Sequence, residues 1–179
     1  MDFTEKQVSF DYKFHGRIIR VREDEVLTPT GNTARREVCE HPGGVAVLPL
    51  SAEGEVTLVG QYRYPYGEML WELPAGKLDA GDSEPLQCGI RELKEETGLS
   101  AGRYTSLGKV YPSPGFLNEI IHLFLAQDLT LAAACPEEDE LLVLKKMPFS
   151  QVENMIATGE IVDAKTIVAM YRAKLLLNQ

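Results

Sequence analysis

The chain is poor in cysteine, and the three present, Cys39, Cys88 and Cys135, lie far apart with no CxxC pair among them. An odd, scattered set excludes a disulfide framework and a zinc knuckle, and a reducing, cytoplasmic setting is the expectation. Basic residues are also scarce. Lys and Arg number 18 against 27 Asp and Glu, leaving a net charge of -9. That sign excludes a protein that grips nucleic-acid backbone through cations, and a phosphate-bearing substrate would have to be approached through a divalent ion. Long apolar runs are missing as well. Those present are far shorter than the roughly 20 residues of a membrane helix, and the opening MDFTEKQ has neither the basic start nor the apolar core of a leader. Neither export nor membrane insertion is expected.

What is there is 44% hydrophobic and 25% charged over 179 residues, enough for one globular domain and at most a small second lobe. Alternating or apolar-rich runs at 6–12, 17–28, 34–41, 43–51 and 55–64 predict strands, separated by turn signals such as PTGN and AEG. The last two read as a hairpin around Gly54. A loop rich in Gly, Asp and Pro, LPAGKLDAGDSEP, leads into a helix predicted from Pro85 to Gly98, with Pro in the first turn and Gly just past the end. Strands at 103–111 and 118–126 follow, then the acidic loop CPEEDE at 135–140 and the apolar run LLVLKKM. Helices at 148–158 and 163–177 close the pattern, the second capped by Asp163. Internal repeats and low-complexity linkers are absent. The order of strands, helix, strands, helices predicts an α+β fold with a mixed central sheet between helices, not a doubly wound parallel sheet.

The stretch RELKEETG, 91–98, crowds Glu92, Glu95 and Glu96 onto neighbouring helical positions, at a cost of a few tenths of a kcal/mol for an i,i+4 pair. At about 100 degrees per residue, with Glu92 at zero, Glu96 falls near ~40 and Glu95 near ~300 degrees. Leu86, Ile90, Leu93 and Thr97 fall between about 100 and 160 degrees. One face is thus expected to meet the core and the other to carry carboxylates, with Arg91 at i-4 to hold Glu95. Upstream, Gly76 and Gly81 allow close backbone approach to a ligand. A site so rich in oxygen suits a hard cation such as Mg²⁺ or Mn²⁺.

GKLDAGDSEPLQCGIRELKEETGL, 76–99, resembles the Nudix box, in which a glycine and a glutamate precede R-E-hydrophobic-x-E-E-x-G-hydrophobic. The second half matches at every specified position. The first half holds one residue more than the pattern, within GDSEP, so the first box glutamate corresponds to either Asp82 or Glu84. The resemblance implies a Nudix-type α/β/α sandwich and a hydrolase that cleaves a nucleoside diphosphate linked to another group, using two or three divalent ions. Carried over position by position, the metal ligands are Glu92, Glu96 and the backbone carbonyl of Ala75. Glu95 joins them directly or through water and shares in catalysis. The loop PEEDELLVL resembles the one that supplies the general base in ADP-ribose pyrophosphatases, which selects Glu140, with Glu138 second.

YPSPGFLNEIIHLFLA at 111–126 resembles that same subgroup, as do REVCEHPGGVAVLPL, VGQYRYP, WELPAGKL and GEIVDAKTIVAM, so the likeness covers most of 35–175. It implies hydrolysis of ADP-ribose to AMP and ribose 5-phosphate. The alternatives are another nucleoside diphosphate sugar, such as GDP-mannose or ADP-glucose, and a module that binds ADP-ribose without cleaving it. In the implied site Arg63 meets phosphates or adenine and Glu72 orients water or substrate. Arg36 and Glu37 meet the adenine, and Pro114 with Gly115 forms a tight turn beside the ribose. Residues 1–42 resemble a strand region that swaps between subunits, implying a homodimer, and 43–179 the hydrolase domain. Trp71 is expected to pack in the core, His15, His41 and His122 to be structural, and Cys88 to have no catalytic role.

Overall fold

Ten strands and three helices are formed by the residues that the computed structural model describes: 2–79, 81, 84–131 and 141–178. They fall into two compact units, Met1–Gly43 with Tyr111–Ile120, and Gly44–Val110 with Ile121–Gln179.

The first unit is an antiparallel sheet of β1 (Lys6–His15), β2 (Arg20–Leu27) and β3 (Thr33–Glu40), in that order. The expected PTGN turn joins β2 to β3, with Gly31 at φ 84° and its N–H donated to the Thr28 carbonyl. The segment 111–120 joins this unit because the Cys39 N–H donates to the Phe116 carbonyl at 2.7 Å, and the Asn118 N–H to that of Cys39. The edge strand β1 buries little within the chain: Val8, Phe10 and Phe14 are all exposed.

The second unit holds β4 (Gly44–Pro49), β5 (Glu55–Arg63), β6 (Glu68–Glu72), β7 (Ala75–Lys77), α1 (Pro85–Thr97), β8 (Leu99–Val110), β9 (Ile121–Leu131), β10 (Val143–Pro148), α2 (Phe149–Ala157) and α3 (Ala164–Leu177). β7-β4-β9-β8 is a mixed sheet, with β4 and β9 parallel and the other pairs antiparallel; β10-β5-β6 is antiparallel. Period-two alternation divides the buried residues of β4 between two cores. Val45 and Val47 pack toward Cys88 and Leu93 of α1, whereas Ala46 and Leu48 join Leu58, Leu73, Met155 and Met170 on the opposite side. A strand buried on both faces reads as continuous apolar sequence, as GGVAVLPL does. Each fully buried Leu or Val contributes about 1.5–3 kcal/mol relative to exposure.

Two local expectations change. The turn around Gly54 forms, but β4 and β5 share only the Leu50–Val56 bridge before separating into different sheets, because β4 is already bonded on both edges, by β7 and β9. Leu86 and Ile90 are only partly buried, and α1 meets the sheet through Gly89 and Leu93. A Cβ at Gly89 would stand 3.0 Å from a methyl of Val45 and another of Val47, so the glycine sets how closely helix and sheet approach. Trp71 packs against the larger core, over Gly60, as expected. Among the described residues no helix is long and apolar enough to cross a membrane.

Candidate active site

The acidic residues are positioned by α1 and by the short strand beside it. Pro85 opens the helix and Gly98 ends it at φ 66°, a left-handed cap whose N–H donates to the Lys94 carbonyl at 2.9 Å. Glu84, one of the two candidates for the first box acid, is the extended residue at the N-cap and makes no side-chain cap there. Asp82 lies outside the described residues.

Glu96 sits on the buried side of α1, only 8% exposed, and accepts the Ala75 N–H at 3.1 Å. A buried carboxylate requires such donors or a cation, since leaving it unpaired would cost several kcal/mol. One residue further along β7, the backbone of Gly76 lies against the side chain of Glu92. A Cβ on Gly76 would stand 2.1 Å from the Glu92 carboxyl carbon, closer than any two such atoms can come. Space for the Glu92 side chain therefore requires a glycine at position 76.

Arg91 binds two of the three glutamates. Its guanidinium lies 2.8 Å from Glu92 and donates to Glu95 at 2.9 Å, with Asp79 at 3.8 Å and the Cys88 sulfur at 3.4 Å. The i,i+4 pair to Glu95 is as the helical spacing predicts; the pair to Glu92 is additional. Burial disfavours the charge on Arg91, but the carboxylates of Glu92 and Glu95 outweigh it and hold the guanidinium above its ordinary range. Among the described residues, no three His, Cys, Asp or Glu side chains converge into a ready-made metal cage. The donor set nonetheless fits a hard divalent ion: three carboxylates on one helix, one of them buried, meet a strand whose Gly76 leaves no room for a side chain. In this arrangement Arg91 supplies counter-charge to Glu92 and Glu95.

A second cluster lies at the end of β6. The Arg63 guanidinium donates to both oxygens of Glu72, at 2.7 and 2.8 Å, and the Lys165 ammonium donates to the same carboxylate. Burial tends to raise the pKa of Glu72, but the Arg63 hydrogen bonds and the Lys165 charge prevail, holding it below the usual carboxylate range. Lys165 also donates to Asp163 at 3.0 Å, while Asp163 caps α3 by accepting the N–H of Thr166 at 3.0 Å and its hydroxyl at 2.6 Å. The Thr166 hydroxyl in turn accepts the Leu73 N–H at 2.9 Å. The start of α3 is thus tied to the segment that connects β6 to Ala75 and Gly76 of β7. Sequence reasoning found Asp163 as a cap but missed Lys165 and Thr166. The available signal was a lysine in the first turn of a helix, where the macrodipole disfavours it.

Arg36, Glu37, Pro114 and Gly115 come together in the first unit, lining one cleft of about 730 Å³. There Arg36 is engaged by Glu5 through two hydrogen bonds, one of 2.9 Å. Glu138 and Glu140 lie outside the described residues. His41 Nδ1 is 3.3 Å from Glu119 and accepts the Gly43 N–H, in keeping with a structural role.

Residues 40–170 match the NUDIX domain model. An ADP-ribose pyrophosphatase of Bacillus subtilis (strain 168) is 38% identical over 168 residues, 93% of this chain and 90% of its own. A methanol dehydrogenase activator of Bacillus methanolicus has the same 38% identity over 170 residues, 94% of this chain and 91% of its own. The crystal structure of an ADP compounds hydrolase matches with a TM-score of 0.87, covering 99% of this chain and 97% of its own; at 19% identity that likeness bears on the fold alone. The mixed sheet with helices on both faces is the expected architecture, and the box residues lie in the matched span: the chain belongs to the NUDIX family.

Proposed function

We propose that this protein hydrolyses ADP-ribose to AMP and ribose 5-phosphate with the help of Mg²⁺ or Mn²⁺. The observation that carries the reading is the packing of Glu92 and Glu96 of α1 against the Ala75–Gly76 backbone within a NUDIX box, in a chain 38% identical to an ADP-ribose pyrophosphatase. Glu92, Glu96 and the Ala75 carbonyl would hold the ions, with Glu95 as an additional or water-mediated ligand. Divalent ions held there would neutralise the diphosphate and lower the pKa of a water. Glu140 takes the proton from that water, with Glu138 the second candidate. Water adds across one P–O bond of the diphosphate and no covalent enzyme intermediate forms.

Arg63 binds the diphosphate and Glu72 orients the reacting groups. Arg36 and Glu37 receive the adenine, and the Pro114–Gly115 turn flanks the ribose. The protein works in the cytoplasm as a homodimer, a reading supported by Val8, Phe10 and Phe14, whose exposed side chains on an edge strand invite a partner surface.

The test is a substrate panel with purified protein and Mg²⁺, following release of nucleoside monophosphate and phosphosugar. Turnover of ADP-ribose above GDP-mannose and ADP-glucose is expected. Strong turnover of GDP-mannose with none of ADP-ribose would keep the reaction class and discard the substrate. Tight ADP-ribose binding without turnover would reduce the protein to a binding module.

A further inference from the structure

We propose that Lys165 is a positioning residue, the permanent counter-ion of Glu72, whose presence frees Arg63 to leave that carboxylate and bind the diphosphate of the substrate. The inference rests on the reading just given. Its basis is an asymmetry between two cations that share one buried carboxylate. Arg63 and Lys165 both donate to Glu72, itself buried. The Arg63 side chain is 37% exposed, whereas that of Lys165 is 11% exposed. Of the two, the arginine is the more open to solvent and to an arriving anion. An arginine engaging both oxygens of a carboxylate has the fork geometry that also suits a phosphate, so the exchange needs no change of donor chemistry.

Lys165 is fixed where it stands. It is the second residue of α3, whose first turn is locked by the Asp163 cap and by the Thr166 hydroxyl that receives the Leu73 N–H. Its ammonium bridges Glu72 and Asp163, so Glu72 keeps a hydrogen-bonded cation after Arg63 departs. The N-terminal end of α3 adds positive potential beside both carboxylates. Without Lys165, moving Arg63 would strand a buried negative charge, and Glu72 would retain the arginine at the expense of substrate.

The experiment measures binding of the methylene-bridged, uncleavable analogue of ADP-ribose in Mg²⁺, together with KM and kcat for ADP-ribose. Lys165→Met is expected to weaken analogue binding and raise KM about tenfold, with a smaller change in kcat. Lys165→Arg, which keeps the charge, should restore most of the affinity. The discriminating result is a double-mutant cycle: in a Glu72→Gln background, where residue 72 carries no charge to retain Arg63, Lys165→Met should weaken analogue binding far less than it does in the wild-type protein. A merely structural lysine would give additive losses instead, and that outcome overturns the inference, as does a Lys165→Met protein that binds as tightly as wild type. If Lys165→Met does not fold, Lys165→Gln takes its place with the same expectations. Failure of the wild-type protein to bind the analogue or cleave ADP-ribose would show that the functional reading itself is wrong, and this inference falls with it.

Discussion

Gly76 and Glu92 are in such close contact that a single added methyl group on the glycine would stand 2.1 Å from the glutamate's carboxyl carbon. The backbone of Gly76 has no left-handed φ to excuse the glycine, so space alone requires it. Gly76→Ala is therefore expected to push Glu92 off the strand, costing about 1–3 kcal/mol of stability as overpacking does. Activity should fall further than stability if Glu92 is a ligand, because its displacement then weakens ion binding. A Mg²⁺ titration of activity with a thermal melt checks this; an alanine variant with unchanged Mg²⁺ dependence would show that Glu92 is not a ligand.

Glu96→Gln keeps an oxygen to accept the Ala75 N–H, so the variant should fold. It removes a negative charge from the proposed ion site, and activity should drop ~10²-fold or more, since an ion's contribution to transition-state stabilisation is worth several kcal/mol. Near-normal turnover would refute the metal assignment.

Glu140→Gln should lower kcat by about 10² or more with KM little changed, the pattern of a lost general base. If kcat is unaffected, Glu138→Gln is the variant in which the loss should be found.

Divalent ions should stabilise the protein, because they relieve the repulsion among Glu92, Glu95 and Glu96 that Arg91 only partly offsets. At a hundred times its dissociation constant an ion bound only to the folded state adds about 2.7 kcal/mol, or roughly 5–10 °C in Tm for a chain of this size. Chelation should reverse the gain. Thermal melts with and without Mg²⁺ measure it, and a gain of equal size in Glu96→Gln would place the ion elsewhere.

Acid should act through Glu72. Its carboxyl is held below the ordinary value of 4.5, burial working against ionisation and Arg63 and Lys165 outweighing it. A lowered folded-state pKa contributes stability that is complete above the unfolded value and lost as pH falls through the folded one. Stability should therefore decline as pH drops below about 4.5, and Glu72→Gln should flatten that acid limb. Identical acid limbs in a Tm-against-pH series would remove Glu72 from the account.

The sequence by itself determined what depends on local pattern and short spacing. Pro85 and Gly98 bounded the helix because the first fits a first turn and the second a left-handed cap. The i,i+4 spacing of Arg91 and Glu95 predicted their ion pair, and the apolar run at 43–51 predicted a strand. Asp163 was legible as a cap for the same local reason. Tertiary structure alone decided what distant segments do to one another. It separated β4 from β5, because hydrogen-bond partners for an edge come from anywhere in the chain. It formed β6 and β7, too short to carry a period of their own, by pairing them with β5 and β4. It turned Gly76 into the seat of Glu92, sixteen residues away, and brought Lys165 across more than ninety residues to Glu72. No helical or strand period reports such contacts. They follow from burial, which places an ionised carboxylate where only a fixed donor or cation can keep it charged.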